Sequence, residues 1–94
     1  MTNEKIVKYL EDDGIQYHMG GFVLLRDAIR MAYDSGTCFG LTEIYKTIAN
    51  ANDCRPSRVE RLIRYAVNKV YPEITSKEYI ARAVYKLRAG EGCE

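Results

Sequence analysis

Read for period, the apolar positions of this chain fall into five helical segments and no pattern of strand alternation. The first runs from about Asn3 to Asp12, with Ile6, Val7 and Leu10 on one face and Gly14 as a natural stop. Ile15 to Gly21 reads as a loop. The second, Phe22 to Ser35, carries the stripe Leu25, Ala28, Ile29, Ala32 and Tyr33 and closes on Gly36, which predicts the central packing helix. The third covers about Thr42 to Ala51 with Ile44, Tyr45, Ile48 and Ala49 facing inward, after a turn at Gly40, and a polar connection spans Asn50 to Arg55. The fourth starts near Pro56-Ser57, where proline suits a first-turn position and Ser57 with Glu60 predicts a capping box. Its stripe Val59, Leu62, Ile63, Ala66, Val67, Val70 persists to Tyr71, where Pro72 forbids continuation. The fifth starts at Thr75 or Ser76 with a second capping box, Thr75 to Glu78, and continues through Ile80, Ala83, Val84 and Leu87 to Gly90, with a frayed tail after Arg88.

These segments predict an all-α fold, a compact bundle of five or six helices, and the length of 94 residues suits one domain over 1–94 with its core at about 3–88. The uncharged stretch Gln16 to Leu25 is short of the roughly 18 to 20 residues a membrane span requires. No basic and then apolar leader opens the chain, so a soluble, cytoplasmic protein is expected. The cysteines Cys38, Cys54 and Cys93 lack a Cys-x-x-Cys pair and His18 is the only histidine, which leaves too few ligands for a closed zinc site and predicts reduced thiols and no metal. His18 has no nucleophile or partner declared around it and reads as a loop-packing residue rather than a general base. Cys54 beside Arg55 admits a redox-responsive reading, against that of a small turn residue, which is preferred. Gly20-Gly21 lacks the lysine and hydroxyl residue of a phosphate loop, so no nucleotide cofactor is expected. Glu11-Asp12-Asp13 reads as a solvated helix end, and the eight tyrosines as core-edge aromatics with hydroxyls reaching solvent. None of this composes an enzyme.

Net charge is +1, which by itself gives no sign of a polyanion partner. Its placement does. Between Arg55 and Lys69 lie five cations, Arg55, Arg58, Arg61, Arg64 and Lys69, against the single acid Glu60, a local charge of +4, while the other 79 residues carry −3. Arg58, Arg61, Arg64 or Tyr65, and Asn68 recur at helical steps opposite the apolar stripe. The row is either a solvated face, with Glu60 and Arg64 as an ordinary i,i+4 pair, or a recognition surface for the DNA major groove. In the second case arginine donates two hydrogen bonds to guanine O6 and N7 and glutamate accepts from cytosine N4. The third segment, a polar turn and the fourth segment form a helix-turn-helix candidate, although Asn50 to Arg55 is longer than the simplest such turn. The helix start also offers free amides to a phosphate.

The stretch Pro56-Ser57-Arg58-Val59-Glu60-Arg61-Leu62-Ile63-Arg64-Tyr65-Ala66 resembles the S-R-V-E-R-x-I-R-x-A recognition-helix motif of the C-terminal effector domain of the stage-zero sporulation master response regulators. Gly21 to Ile29 with Met31 resembles that family's G-x-x-x-L-R-x-A-I-x-M block; Ile44-Tyr45 with Ile48-Ala49 and the closing Glu78-Tyr79-Ile80-Ala81 and Lys86-Leu87-Arg88 extend the likeness over about Ile6 to Arg88. The resemblance implies a domain that binds short boxes of double-stranded DNA, often as a head-to-tail pair, and contacts RNA polymerase sigma factor in transcription regulation. It implies Arg58, Glu60, Arg61 and Arg64 as the groove-facing set and Ser57 as a phosphate contact. Arg55, Tyr65 and Asn68 complete the expected DNA-binding residues, on a recognition helix at about 56–71. The alternative is a helical interaction module that binds sigma factor or a related regulator without DNA.

Three departures from the family stand out. Its phosphoacceptor receiver domain has no room in 94 residues, so this is an orphan effector domain or an excised piece. The long segment before its last helix is reduced to Pro72-Glu73-Ile74, which removes part of the expected polymerase or dimer surface. Its histidine after the last recognition arginine is Tyr65.

Overall fold

A computed structural model describes residues 3–16, 20–35 and 40–92. Five helices, α1 (Asn3–Asp12), α2 (Gly20–Ser35), α3 (Leu41–Ala51), α4 (Pro56–Val70) and α5 (Ser76–Gly92), make an all-helical bundle with no strand among the described residues. The middle helix in space is α2, which packs against each of the other four. Its apolar positions explain this: Phe22, Leu24, Leu25, Ala28, Ile29 and Ala32 are all buried, a stripe broad enough to meet neighbours on several sides. Into the same core come Ile6 and Leu10 of α1, Ile44 and Ile48 of α3, Val59, Ile63 and Val67 of α4, and Tyr79, Ile80 and Ala83 of α5.

Helix ends account for most of the chain's turns. After α1, Gly14 adopts φ +92°, its amide bonds Glu11 O and the Ile15 amide bonds Leu10 O, the two bonds of a Schellman motif. That motif buries Ile15 against the core. The expected loop through Gly21 is shorter than expected, because α2 already begins at Gly20. The reason is a helix crossing. A Cβ on Gly21 would stand 2.3 Å from Leu62 O, 2.9 Å from Leu62 C and 3.1 Å from the Ala66 methyl, so the absence of a side chain lets α2 and α4 touch backbone to backbone. Gly36, His18 and Cys38 lie outside the described residues.

The Thr75 to Glu78 capping box forms in both directions: the Glu78 amide donates to Thr75 Oγ1 at 3.1 Å and the Thr75 amide to Glu78 Oε1 at 3.3 Å. The helix α5 then passes through Gly90 to Gly92 instead of ending there, since Gly90 does not take the left-handed conformation of a stop. The acidic run is also not simply solvated. Asp13 is half-buried and accepts from Tyr71 Oη at 3.2 Å and Tyr79 Oη at 2.8 Å, tying the end of α1 to the α4–α5 junction. Tyr9 and Tyr71 flank Tyr79 with ring centroids at 6.3 and 5.8 Å. Tyrosine hydroxyls therefore do not all reach solvent: those of Tyr9 and Tyr45 are buried without a hydrogen-bond partner, whereas Tyr65 and Tyr85 are exposed. Burial raises Tyr9 and Tyr45 to about 12 and moves Tyr79 upward as well, with the Asp13 carboxylate adding to the effect at Tyr9 and Tyr79.

Candidate nucleic-acid interface

The turn that joins α3 to α4 decides how the two helices are held. α3 ends at Ala51 and α4 begins at Pro56, so the connection is the four residues Asn52 to Arg55, within the usual length of a helix-turn-helix and shorter than the sequence pattern indicates. It closes as a second Schellman motif. Asp53 takes φ +53°, its amide donates to Asn50 O at 3.4 Å, and the Cys54 amide reaches back to Ala49 O at 3.0 Å. The Asn52 side-chain amide adds a bond to Ile48 O at 2.8 Å. Cys54, a free thiol, is half-buried against the core in the position where such motifs place an apolar contact.

The expected Ser57 to Glu60 capping box does not form. Pro56 occupies the first helical position with its φ already helical, so the cap falls on Arg55 (φ −89°, ψ 147°) and Ser57 stands inside the first turn. Glu60 points elsewhere: its carboxylate holds Arg64 Nη1 at 3.5 Å. Pro56 has no amide hydrogen and the Arg58 amide is bonded to Arg55 O at 3.0 Å, which leaves the Ser57 amide, with its hydroxyl beside it, as the open donor of the first turn.

Val59, Ile63, Ala66 and Val67 are buried against α2 and α3. A helix turns about 100° per residue, so Arg61, two positions from both Val59 and Ile63, emerges on the opposite side, at the middle of the outer face. Arg55, Ser57, Arg58, Arg61, Arg64, Tyr65 and Asn68 are all exposed, and Glu60 is partly so. Six of these eight residues, Arg55, Ser57, Arg58, Glu60, Arg61 and Arg64, line one shallow open concavity. Tyr65 and Asn68 stand outside it. Tyr65, 58% exposed, lies under the Lys69 ammonium at 5.6 Å from its ring centre, and Asn68 joins Glu60 and Arg64 on the wall of a second groove. Arg58 and Arg61 make no ion pair among the described residues and are free to meet an outside acceptor. Arg64 is shared with Glu60.

That second groove has no counterpart in the sequence pattern. It runs between the N-terminus of α3 and the N-terminus of α5, where Leu41, Tyr45, Ser76 and Lys77 join the end of the arginine row. Only the helical phase of α4 was available to foresee it, and phase does not say which neighbouring helix ends lie alongside.

No described helix is long and apolar enough to cross a membrane, and no cluster of potential metal ligands occurs among the described residues. The family model described as "Sporulation initiation factor Spo0A C terminal" matches residues 6–90. Its members are DNA-binding effector domains and not catalytic ones.

Proposed function

The chain belongs to the Spo0A C-terminal family, and from that premise we propose that it is a single effector domain over 1–94 that binds double-stranded DNA in a sequence-specific way, with α4 lying in the major groove. The observation that carries the proposal is the outer face of α4, where Arg58 and Arg61 stand exposed and unpaired on a helix held by a four-residue turn. In this reading Arg58 and Arg61 donate to guanine edges. Glu60 both orients Arg64 and offers an acceptor to cytosine N4, and the Ser57 amide and hydroxyl hold a backbone phosphate at the positive end of the helix. Arg55, Tyr65 and Asn68 flank this set, with Tyr65 and Lys69 acting as a pair. The family likeness supports cytoplasmic action, tandem head-to-tail occupancy of DNA and a contact with RNA polymerase sigma factor as further parts of the same reading. Any sigma contact would be made without a long segment before α5, since only residues 71–75 separate α4 from α5.

The test is duplex selection from a random pool followed by fluorescence anisotropy on the enriched site. Four or five neutralised phosphates give a slope of log K against log salt near −4. Arg61→Ala is expected to weaken binding by about 1 to 3 kcal/mol and relax preference at one base pair. A pool with no enrichment, or binding indifferent to both salt and Arg61, would replace this proposal by a protein-interaction module that uses the same helical surface.

A further inference from the structure

Arg55, Arg58, Arg61 and Arg64 follow one another at steps of three, and the first of them stands outside α4. Arg55 is the cap residue, with extended backbone (φ −89°, ψ 147°), and its side chain makes no capping hydrogen bond. Pro56 at the first helical position is what puts it there, by moving the cap back from Ser57. Arginine is a poor residue for that place, since a cap works through a side-chain acceptor and the guanidinium has none. Nothing else in the fold accounts for the side chain. Arg55 is exposed and forms no ion pair among the described residues, yet it lines the same concavity as Arg58 and Arg61. It also precedes the S-R-V-E-R motif, which begins at Ser57, so it is a feature of this chain rather than of that motif.

Its register on the helix gives it a role. Counted with Pro56 as 1, Arg55 stands at −1, Arg58 at 3 and Arg61 at 6. From these three positions the helix of a zinc finger, entering the major groove at an angle, contacts three successive bases, principally on one strand. The spacing explains why. Three residues advance a helix by about 4.5 Å and leave the side chain rotated by about 60° from the one before. Successive nucleotides of one strand are about 3.4 Å apart along the duplex, so on an inclined helix each member of the series comes over the next base pair. At the other end of the row Arg64 is held by Glu60 at 3.5 Å, whereas Arg55 has no such partner.

We propose that Arg55 is a third guanine-reading residue, set at the start of α4 by Pro56, and that it donates to O6 and N7 of a guanine adjoining the base pair faced by Arg58. This role rests on the DNA-binding reading above, in which Arg58 and Arg61 donate to guanine edges, and it lengthens the recognised box by one base pair.

Duplex selection with the wild type, Arg55→Ala and Arg55→Gln, followed by anisotropy titrations, tests the assignment. Neither substitution removes a capping bond, and equal urea midpoints check that the fold is kept. The wild-type site is expected to carry a guanine next to the position whose preference Arg58→Ala relaxes. Arg55→Ala loses that guanine preference alone and weakens binding to the wild-type site about tenfold, with the slope of log K against log salt unchanged. Arg55→Gln changes the preferred base there to adenine, whose N6 and N7 suit a side-chain amide. 7-Deazaguanine at that position, which lacks the N7 acceptor, weakens the wild type about fivefold and leaves Arg55→Ala unaffected. A loss equal on every duplex, with a slope smaller in magnitude by about 1, makes Arg55 a phosphate contact and overturns the assignment. A selected site and an affinity that Arg55→Ala leaves unchanged overturn it too, and return Arg55 to a solvated side chain. In both cases binding that still responds to Arg61→Ala keeps the DNA reading intact, whereas a wild type that enriches no duplex overturns both.

Discussion

Replacing Gly21 by alanine isolates the contact that sets α4 against the body of the domain. Alanine is the better helix former by about 1 kcal/mol, so propensity alone predicts stabilisation. Packing predicts the reverse. The new methyl would sit 2.3 Å from Leu62 O, roughly 1 Å inside ordinary contact distance, and the atom it meets is backbone, which cannot rotate away. Relief requires α2 and α4 to separate locally by about that amount. A gap of 0.5 to 1 Å already forfeits a quarter to a half of each dispersion contact along the seam, where Ile63, Ala66 and Val67 are buried. Overpacking of this kind costs about 1 to 3 kcal/mol or more, and with no flexible side chain to yield the upper part of that range applies. Less the propensity gain, Gly21→Ala should destabilise by about 2 kcal/mol, a fall in Tm of about 8 to 16 °C for a chain of this length. Gly20→Ala is the internal control. Its Cβ would meet only Leu62 Cδ2 at 3.6 Å, ordinary contact with a mobile group, so it should be neutral or stabilising by up to about 1 kcal/mol. Both variants are read by thermal and urea unfolding followed by circular dichroism. A Gly21→Ala protein as stable as the wild type would show that α4 is not held by this approach.

Asp53 occupies the left-handed region that glycine adopts without strain, so Asp53→Gly should raise stability by about 0.5 to 1 kcal/mol, visible as a higher urea midpoint; a lower midpoint would mean that the aspartate side chain stabilises the turn. Asp13→Ala orphans the Tyr71 and Tyr79 hydroxyls and should cost about 2 to 4 kcal/mol, with Asp13→Asn milder, in the same assay; equal stability of all three proteins refutes the tie. Tyr9 and Tyr45, raised to about 12 by burial, favour the protonated form in the folded state, whereas unfolded tyrosine ionises near 10. Their stabilisation is therefore complete below pH 10 and lost as pH rises from about 10 through 12, so Tm should fall across that window and fall less in Tyr45→Phe. Neutralising Glu4, Glu11 and Asp12 together on α1 should strengthen non-specific duplex binding in about 10 mM salt and leave it unchanged in about 150 mM; an equal effect at both would exclude long-range repulsion as the cause.

Helical phase carried most of the fold, because each helix here buries one continuous stripe and the stripe is a local property of sequence. Val59, Ile63, Ala66 and Val67 lie inward and Arg58, Arg61 and Asn68 outward, as their spacing requires. Capping shows where local reasoning stops. Thr75 to Glu78 and Ser57 to Glu60 have the same S/T-x-x-E form, yet only the first closes, since Pro56 moves the cap of α4 back to Arg55. By sequence alone Asp13 is the end of a charged run, because its partners are 58 and 66 positions away. Gly20-Gly21 read as a loop for a related reason. Consecutive glycines usually break a helix, and here the cost of placing Gly21 in one is offset by a close approach that only the tertiary structure reveals. The second groove combines three elements distant in sequence, so it had no local signature.

The net charge of +1 is a poor guide to how such a molecule meets DNA, and its dimensions explain why. The body extends 40 × 25 × 24 Å, while charges in water at about 0.15 M salt are screened over about 8 Å. A phosphate at the outer face of α4 therefore responds to the arginines beside it and hardly at all to acids on the far side of the bundle. Only near 10 mM salt, where screening extends to about 30 Å, does the −3 of the remaining chain act across its full width. With α4 in the groove as proposed, the electrostatic affinity at physiological salt is a property of one helix and its immediate surroundings. It depends on how firmly α4 is held at the right height and angle, and three features fix it: the backbone contact at Gly21, the left-handed turn at Asp53 and the helix start at Pro56. Two of these lie off the arginine face and none is itself charged at the contact it makes, so their effect on binding arises through geometry.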